Sequence, residues 1–324
     1  MGERFYHTLG WILLASFVGV LTYLCTLNPT KFLELSLYGL VLGSIYALVA
    51  LGFALIYKST SILNLAQGEF LMVGAYICLS LILQFQIHFI WAFFITLLFS
   101  VFLGLAVERL VLRPLIGEPI ISVIMVTIAL SSILKGMVIM FWGNDIRPFP
   151  KDIPFLAGKP FPVFGVPMAP IYIWSFGLAI FFLLLFAIFF KLSRTGIAMR
   201  ATASNQQVSQ SMGISVKKVF AISWCVAAVV SSVGGIILGY ISGVGITLSF
   251  FGLKVFPAVI LGGLDSILGA IIGGVTIGLL ENYSGGYLDH IIPAVKEVFP
   301  FVVLVIILFI KPYGLFGKEE IERV

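Results

Sequence analysis

From Pro170 to Phe190 the chain runs without one charged side chain. A helix needs roughly 20 apolar residues to cross a bilayer core, so this stretch is long enough to span. Several others match it, and candidate spans fall near 9–27, 36–57, 70–87, 89–107, 120–142, 170–190, 219–240 and 292–310. The apolar residues run continuously rather than alternating, which selects helices over a barrel. A composition 60% hydrophobic and only 10% charged excludes a soluble globule. The expected fold is an all-α integral membrane protein: a polytopic bundle of about eight transmembrane helices, forming a single domain over residues 1–324. The first run, Leu9 to Leu27, lacks a small-residue cleavage site; it reads as a retained span, and an uncleaved signal anchor has the same pattern.

Charge sets the orientation. The loop 191–218 carries Lys191, Arg194, Arg200, Lys217 and Lys218 with no acid, which places it in the cytoplasm. Arg109 and Arg113 put their short loop on that side, and Lys311 and Lys318 do the same for the tail. Eight spans then leave both termini cytoplasmic, with 143–169 as the longest outer loop. The net charge of +5 suits cytoplasmic loops on anionic lipid, and no basic-aromatic patch points to nucleic acid. Cys25, Cys78 and Cys225 lie in apolar runs and read as packing residues, while His7, His88 and His290 are scattered and suggest no metal site. No G-x-x-x-x-G-K-[ST] loop occurs, so ATP hydrolysis must come from another chain, and no cofactor is expected here.

Within the cytoplasmic loop, Arg194 to Gly213 forms a polar island with helical character. Ile197, Ala201, Val208 and Met212 fall on one stripe of a continuous helix, with Ser, Asn and Gln on the other faces. Ser193 or Thr195 suits its start, and Gly213 the left-handed residue that ends it. Two readings stand: an ordinary loop, or a docking helix for a soluble partner.

Two stretches fit no clean span: Ser59 to Glu69, and Phe251 to Ser266 with the glycine-rich run to Leu280. A full crossing by 254–280 would carry the basic tail outside, so a re-entrant or broken element is expected. Non-helical backbone at membrane depth survives only where protein or a water-filled cavity satisfies it, and paired interruptions in two halves point to a substrate route. Asn64, Gln67 and Gly68 are candidates to line that route. Glu69 either fixes the interrupted segment by accepting backbone N–H bonds or opens a helix at the cytoplasmic interface. Gly262 and Gly263 permit a tight turn, with Asp265 or Ser266 capping a following half-helix aimed at a cavity; a packing turn remote from any solute is the alternative. Lys135 is expected at a helix end, reaching an interface, and Lys254 either neutralises Asp265 or snorkels outward. The pairs Gly39/Gly43, Gly235/Gly239, Gly269/Gly273 and Gly274/Gly278 favour close helix approach, mainly within the chain.

Several ordered motifs carry a resemblance. Gly39-Leu-Val-Leu-Gly-Ser-Ile-Tyr-Ala-Leu-Val-Ala-Leu-Gly52 and Ile62-Leu-Asn-Leu-Ala-Gln-Gly-Glu-Phe-Leu-Met-Val-Gly-Ala-Tyr76 open the series. Arg200-Ala201, Met212-Gly-Ile214, Gly252-Leu-Lys-Val-Phe256, Leu261 to Gly274 and Lys311-Pro-Tyr-Gly-Leu-Phe-Gly317 follow in order. From about residue 35 onward the chain resembles the branched-chain amino-acid ABC transporter permeases, the LivH-type subunit more than its LivM-type partner. Gln67 stands where that family often has histidine, Leu268 replaces a common proline, and Ser204-Asn-Gln-Gln207 replaces frequent acids.

The resemblance implies a permease subunit of an importer in a bacterial or archaeal plasma membrane. It implies a second related permease, two cytoplasmic ATP-binding subunits and an extracytoplasmic solute-binding protein. The island then corresponds to the coupling segment, with Arg194, Gly196, Ile197, Arg200, Ala201, Val208, Met212 and Gly213 as its contact residues. Branched-chain or other aliphatic amino acids are the implied solutes, with urea, amides or another small polar solute as the alternative. An ion-coupled carrier would show more acids or cation ligands within spans, and an intramembrane enzyme would need a convergent catalytic cluster; neither pattern is visible.

Overall fold

The computed structural model describes residues 28–317 except 116, 117 and 151–157, together with residues 19, 22, 23 and 26. The expected span 9–27, Cys25, His7 and Lys318 thus lie outside the described residues or largely so. The elements in chain order are α1 (Pro29–Thr60), α2 (Gln67–Leu83), α3 (Phe89–Val107), α4 (Ile120–Trp142), the strands β1 (Phe161–Val163) and β2 (Val166–Met168), and α5 (Pro170–Leu192). Then come α6 (Arg194–Ser204), α7 (Gln206–Ser211), α8 (Val216–Ser242), α9 (Phe250–Gly262), α10 (Ile267–Leu288) and α11 (Val295–Ile310). The short strands pair antiparallel in the outer loop.

Local chemistry sets the boundaries. Asn28 accepts from Lys31 N–H at 3.2 Å while Pro29 takes the first helical position of α1. Ser266 caps α10 by accepting from Gly269 N–H at 3.1 Å. Gly143 (φ 79°), Gly243 (φ 87°) and Gly263 (φ 101°) end α4, α8 and α9, in backbone regions where a side chain is strained.

Among the described residues, six helices are long and apolar enough to cross a membrane: α1, α3 with its turns to Leu115, α4, α5, α8 and α10. Gln67–Leu83 and Ile246–Gly262 are shorter apolar helices. Of the two expected forms for residues 254–280, re-entrant or broken, the structure shows a break. These residues contain the end of one helix, a turn, and most of a second helix that is itself long enough to span. Gly262 packs on Gly269 and Gly273 on Ala258, so α9 and α10 are antiparallel.

Burial separates centre from rim. The most apolar windows of α1 and α8 are 89% and 72% buried, against 33%, 28% and 22% for α3, α4 and α5. The two central helices are antiparallel, with Gly52 against Ala227 and Gly234 against Val49 and Ile45. Each carries an antiparallel partner, α10 on α1 and α3 on α8. In the first pair a methyl on Gly43 would lie 2.8 Å from Val275 Cα, and one on Gly278 would overlap Gly43 itself. In the second, a methyl on Gly104 would lie 2.8 Å from Cys225 Cα, and the Ser100 and Ser232 hydroxyls bond at 2.7 Å. Lipid supplies no hydrophobic drive between helices, so backbone approach at small residues carries such contacts. The glycine pairs of the sequence serve these internal crossings.

The short helices complete a repeat. α2 runs beside α8 and α9 beside α1. The series α1–α2–α3–α4 thus shares its α1/α10, α2/α3 and α2/α4 contacts with α8–α9–α10–α11, where they recur as α8/α3, α9/α10 and α9/α11, while α10 packs on α11 more closely than α3 on α4. The antiparallel α1/α8 contact inverts one half relative to the other.

Candidate functional site

The starts of α2 and α9 lie inside the bundle and touch. After α1 ends at Ser61 (φ 58°), the chain turns back without helical bonding. Its polar groups find side chains instead: Ile62 N–H donates to Thr60 Oγ1 at 3.2 Å, Ala66 N–H to Asn64 Oδ1 at 3.0 Å, and Leu65 N–H to Thr127 Oγ1 at 3.4 Å. That satisfaction is what lets irregular backbone enter an apolar region. α2 then begins at Gln67, level with Gly52 and about two turns (~12 Å) short of the end of α1.

The mirrored interruption is 243–249. Val244 and Arg147 exchange backbone bonds of 2.8 and 2.9 Å, tying this break to the outer loop. A 3₁₀ turn, Ile246–Ser249, leads into α9. There Gly252 lies on Gly68: a methyl on Gly252 would sit 2.5 Å from Gly68 Cα, and one on Gly68 would overlap the Ser249 carbonyl. Two helix N-termini thus converge, each offering partial positive charge.

Gln67 is fully buried and its amide is saturated. It donates to Ser231 Oγ at 2.6 Å and the Ala227 carbonyl at 3.3 Å, and accepts from Asn64 Nδ2 at 2.9 Å. Asn64 and Gln67, expected together, are together and clamp the start of α2 to α8. Glu69 belongs to the first turn of α2 and is 2% exposed. Its partner is an ammonium rather than backbone N–H groups: Glu69 Oε1 lies 3.1 Å from Lys135 Nζ, while Oε2 is buried with no partner. Lys135 therefore lies within α4, not at a helix end, and its ammonium stands 5.5 Å from the Phe250 ring centre.

Lys254 behaves likewise, and both expected roles for it are replaced. It pairs with Glu281 at 3.1 Å and Glu297 at 2.5 Å, not with Asp265, and lies 5.2 Å from the Phe251 ring centre. Tyr46 donates to the other Glu281 oxygen at 2.7 Å. The repeat relates the two arrangements with sign reversed: the start of α2 gives an acid to a base on α4, and the start of α9 gives a base to an acid on α11. Glu281, Tyr46, Glu297 and Gly252 were not anticipated as site residues. The available signal for Glu281 was its being the single acid between Ser266 and Leu288.

Gly262, Gly263, Asp265 and Ser266 occupy a different place. Ser266 does cap the next helix, as expected, but the turn closes under the C-terminal segment rather than facing the α2/α9 junction. Leu315 and Phe316 N–H donate to the carbonyls of Leu261 and Gly262 at 2.8 and 3.1 Å, and a methyl on Gly263 would lie 2.5 Å from Gly317 N. The tail motif thus satisfies carbonyls that the end of α9 leaves open. The half-helix starting at depth is the one at Phe250.

The polar island is also corrected. It is two helices, α6 and α7, broken at Asn205 (φ −161°, ψ 112°), so Ile197, Ala201, Val208 and Met212 do not share one helical face. Asn205 starts the second piece by accepting from Val208 N–H at 2.9 Å, a capping preference that competes with helix continuation. Ser193 caps the first through Gly196 N–H at 2.9 Å, and Gly213 is left-handed (φ 82°), as expected. Met199 is buried and holds α6 to the body, while Ile197, Val208 and Met212 are exposed. Arg200 donates to the Lys191 carbonyl at 3.3 Å and lies 5.7 Å from the Phe190 ring centre. A methyl on Gly196 would overlap the Phe190 carbonyl. Cys78 and Cys225 are free thiols, the former buried in the core.

Broken helices that meet at depth, between two inverted halves, define a polytopic membrane transport protein. Comparison with known proteins makes this particular. The family model described as branched-chain amino acid transport system / permease component matches residues 35–308. The chain is 30% identical over 307 residues to the high-affinity branched-chain amino acid transport system permease protein LivH of Salmonella typhimurium, covering 90% of this chain and 98% of that one. It is 29% identical over 308 residues to permease protein BraD of Pseudomonas aeruginosa, with the same coverage. Identity is 29% over 289 residues to a probable LivH of Methanocaldococcus jannaschii, covering 86% of this chain and 91% of that one. The chain belongs to this permease family, as a LivH-type member and a multi-pass membrane transport subunit.

Proposed function

We propose that this chain is the permease subunit of an ABC importer for branched-chain or other aliphatic amino acids. Two separate ATPase subunits drive it, an extracytoplasmic binding protein feeds it, and a second related permease completes the pathway in a bacterial or archaeal plasma membrane. The observation that carries the reading is full-length similarity to relatives named for branched-chain amino acid transport. The chain contributes no catalytic group and no cofactor; ATP is the partners' ligand.

In this reading nine described helices cross, namely α1–α5 and α8–α11, where the sequence alone counted seven over the same residues. With 191–218 cytoplasmic, their alternation keeps the tail beyond α11 in the cytoplasm. Two contacts support it: the 243–249 break touches the outer loop at Arg147, and the α9–α10 turn touches the tail beyond α11. The pathway passes the α2/α9 junction, with Asn64, Gln67, Gly68 and Glu69 on its wall. Gly262, Gly263, Asp265 and Ser266 form the cytoplasmic pivot of the second half.

The segment 194–213 is the coupling element. Ile197, Val208 and Met212 offer apolar side chains to an ATPase groove. Gly196, Ala201 and Arg200 seat α6 on the end of α5, with Arg194 at its start and Gly213 at the exit. ATP-driven closure of the ATPases then biases a bistable bundle. The test is reconstitution of the tagged complex in proteoliposomes. Co-purification of two ATPases and a related permease, with ATP-dependent leucine uptake, is expected. Met212→Asp should leave assembly intact and uncouple hydrolysis from uptake; normal coupling in that variant removes 194–213 from the role. Uptake driven by an ion gradient without ATPases would replace the importer reading.

A further inference from the structure

We infer that the Glu69–Lys135 pair reads the charged head group of an α-amino acid as it passes; this rests on the importer reading. Four observations converge. First, Lys135 lies within α4, 15 residues (135 − 120) or about 22 Å from its start and 7 (142 − 135) or about 10 Å from its end, yet its side chain is 32% exposed. An ammonium facing lipid at that depth costs about 2.5–3.5 kcal/mol or more, so its open side faces water or a partner. Second, Ser132, one turn from Lys135, is exposed as well, and Gly136 beside it leaves the ammonium uncovered, although Ile133 and Met137 flank them.

Third, Glu69 Oε2 is buried without a partner, although the carboxylate is 2% exposed. A buried anionic oxygen needs a donor, and none is present beyond the Oε1 contact. Fourth, α2 begins at Gln67 behind Ala66, which supplies no side-chain cap, so its first N–H groups favour negative charge beside Glu69. The pair is neutral overall, with one acceptor unfilled and spare N–H donors on Lys135. A zwitterion matches that pattern head to tail: its ammonium donates to Glu69 Oε2, and its carboxylate accepts from Lys135 Nζ. Urea and simple amides carry neither charge, so the class selected is the α-amino acid.

The experiment uses the complete transporter in proteoliposomes with saturating binding protein. Glu69→Lys/Lys135→Glu keeps an ion pair but reverses its polarity. Binding-protein-stimulated ATP hydrolysis should persist while leucine uptake falls by about tenfold or more. Uptake within about twofold of wild type would make the pair a structural latch only and overturn the inference.

Ser132→Cys supplies a readout independent of the pair. A charged, membrane-impermeant thiol reagent should modify it, and leucine turnover should slow that modification. Lack of modification puts Ser132 against lipid and sinks the proposal, even where the swapped variant fails to assemble. A wild-type complex with no ATP-dependent uptake would instead defeat the importer reading, while the thiol result would still report whether Ser132 meets water.

Discussion

Replacing Lys254 by methionine should destabilise the protein through the carboxylate it leaves behind. Lys254 is 14% exposed and Glu281 8% exposed at their side chains, so both charges are largely out of water. Breaking a buried pair by removing one partner costs about 3–5 kcal/mol, because the remaining charge is uncompensated. The Tyr46 hydroxyl stays on Glu281 and offsets part of this, since a hydrogen bond to a charged group contributes about 1.5–3 kcal/mol. Glu297 adds little: its side chain is 46% exposed, and such pairs contribute about 0–1 kcal/mol. A net loss of about 2 kcal/mol is expected. The double variant Lys254→Met/Glu281→Gln removes both charges and leaves Tyr46 an amide acceptor, so it should return to within about 1 kcal/mol of wild type. Reversible unfolding in mixed detergent, followed by fluorescence of buried Trp224, measures both. A single variant losing under about 1 kcal/mol would refute the reasoning, as would a double variant no better than the single.

Two further outcomes follow from close backbone contacts. Gly278→Leu should prevent accumulation of folded protein, because any side chain there overlaps Gly43 and the Gly39 carbonyl, whereas Gly136→Leu, with nothing within 4 Å, should fold like wild type; size-exclusion profiles of the two variants compare them directly. Gly314→Val should free the tail, since a side chain strains the left-handed backbone (φ 77°) and lies 2.9 Å from Gly263 Cα. Faster amide exchange at Leu315 and Phe316 is the expected signature, and unchanged protection would mean the tail is held by other contacts.

Much of this protein was legible in its sequence because bilayer physics leaves few options. Apolar length marked the spans Ile120–Trp142 and Pro170–Leu192 nearly to the residue. Basic residues marked one face, and Ser193 and Gly213 announced the edges of a soluble segment because capping chemistry is local. Asn64 and Gln67 stood out as candidates because polar side chains are costly at depth; that they bond to each other emerged only in the fold.

Tertiary structure decided what depends on distant neighbours. Where the Lys135 ammonium goes turned on Glu69, 66 residues (135 − 69) away, a contact no periodicity encodes. Glu281 became the centre of a network only when α1, α9 and α10 were brought together. The glycine-rich run looked broken, yet α10 is continuous because Gly43 and Ala47 of α1 fill the space its glycines leave open. The inverted repeat left no detectable trace in residue identity. It is specified by which backbones approach closely, and small residues permit such approaches at many positions without choosing among them.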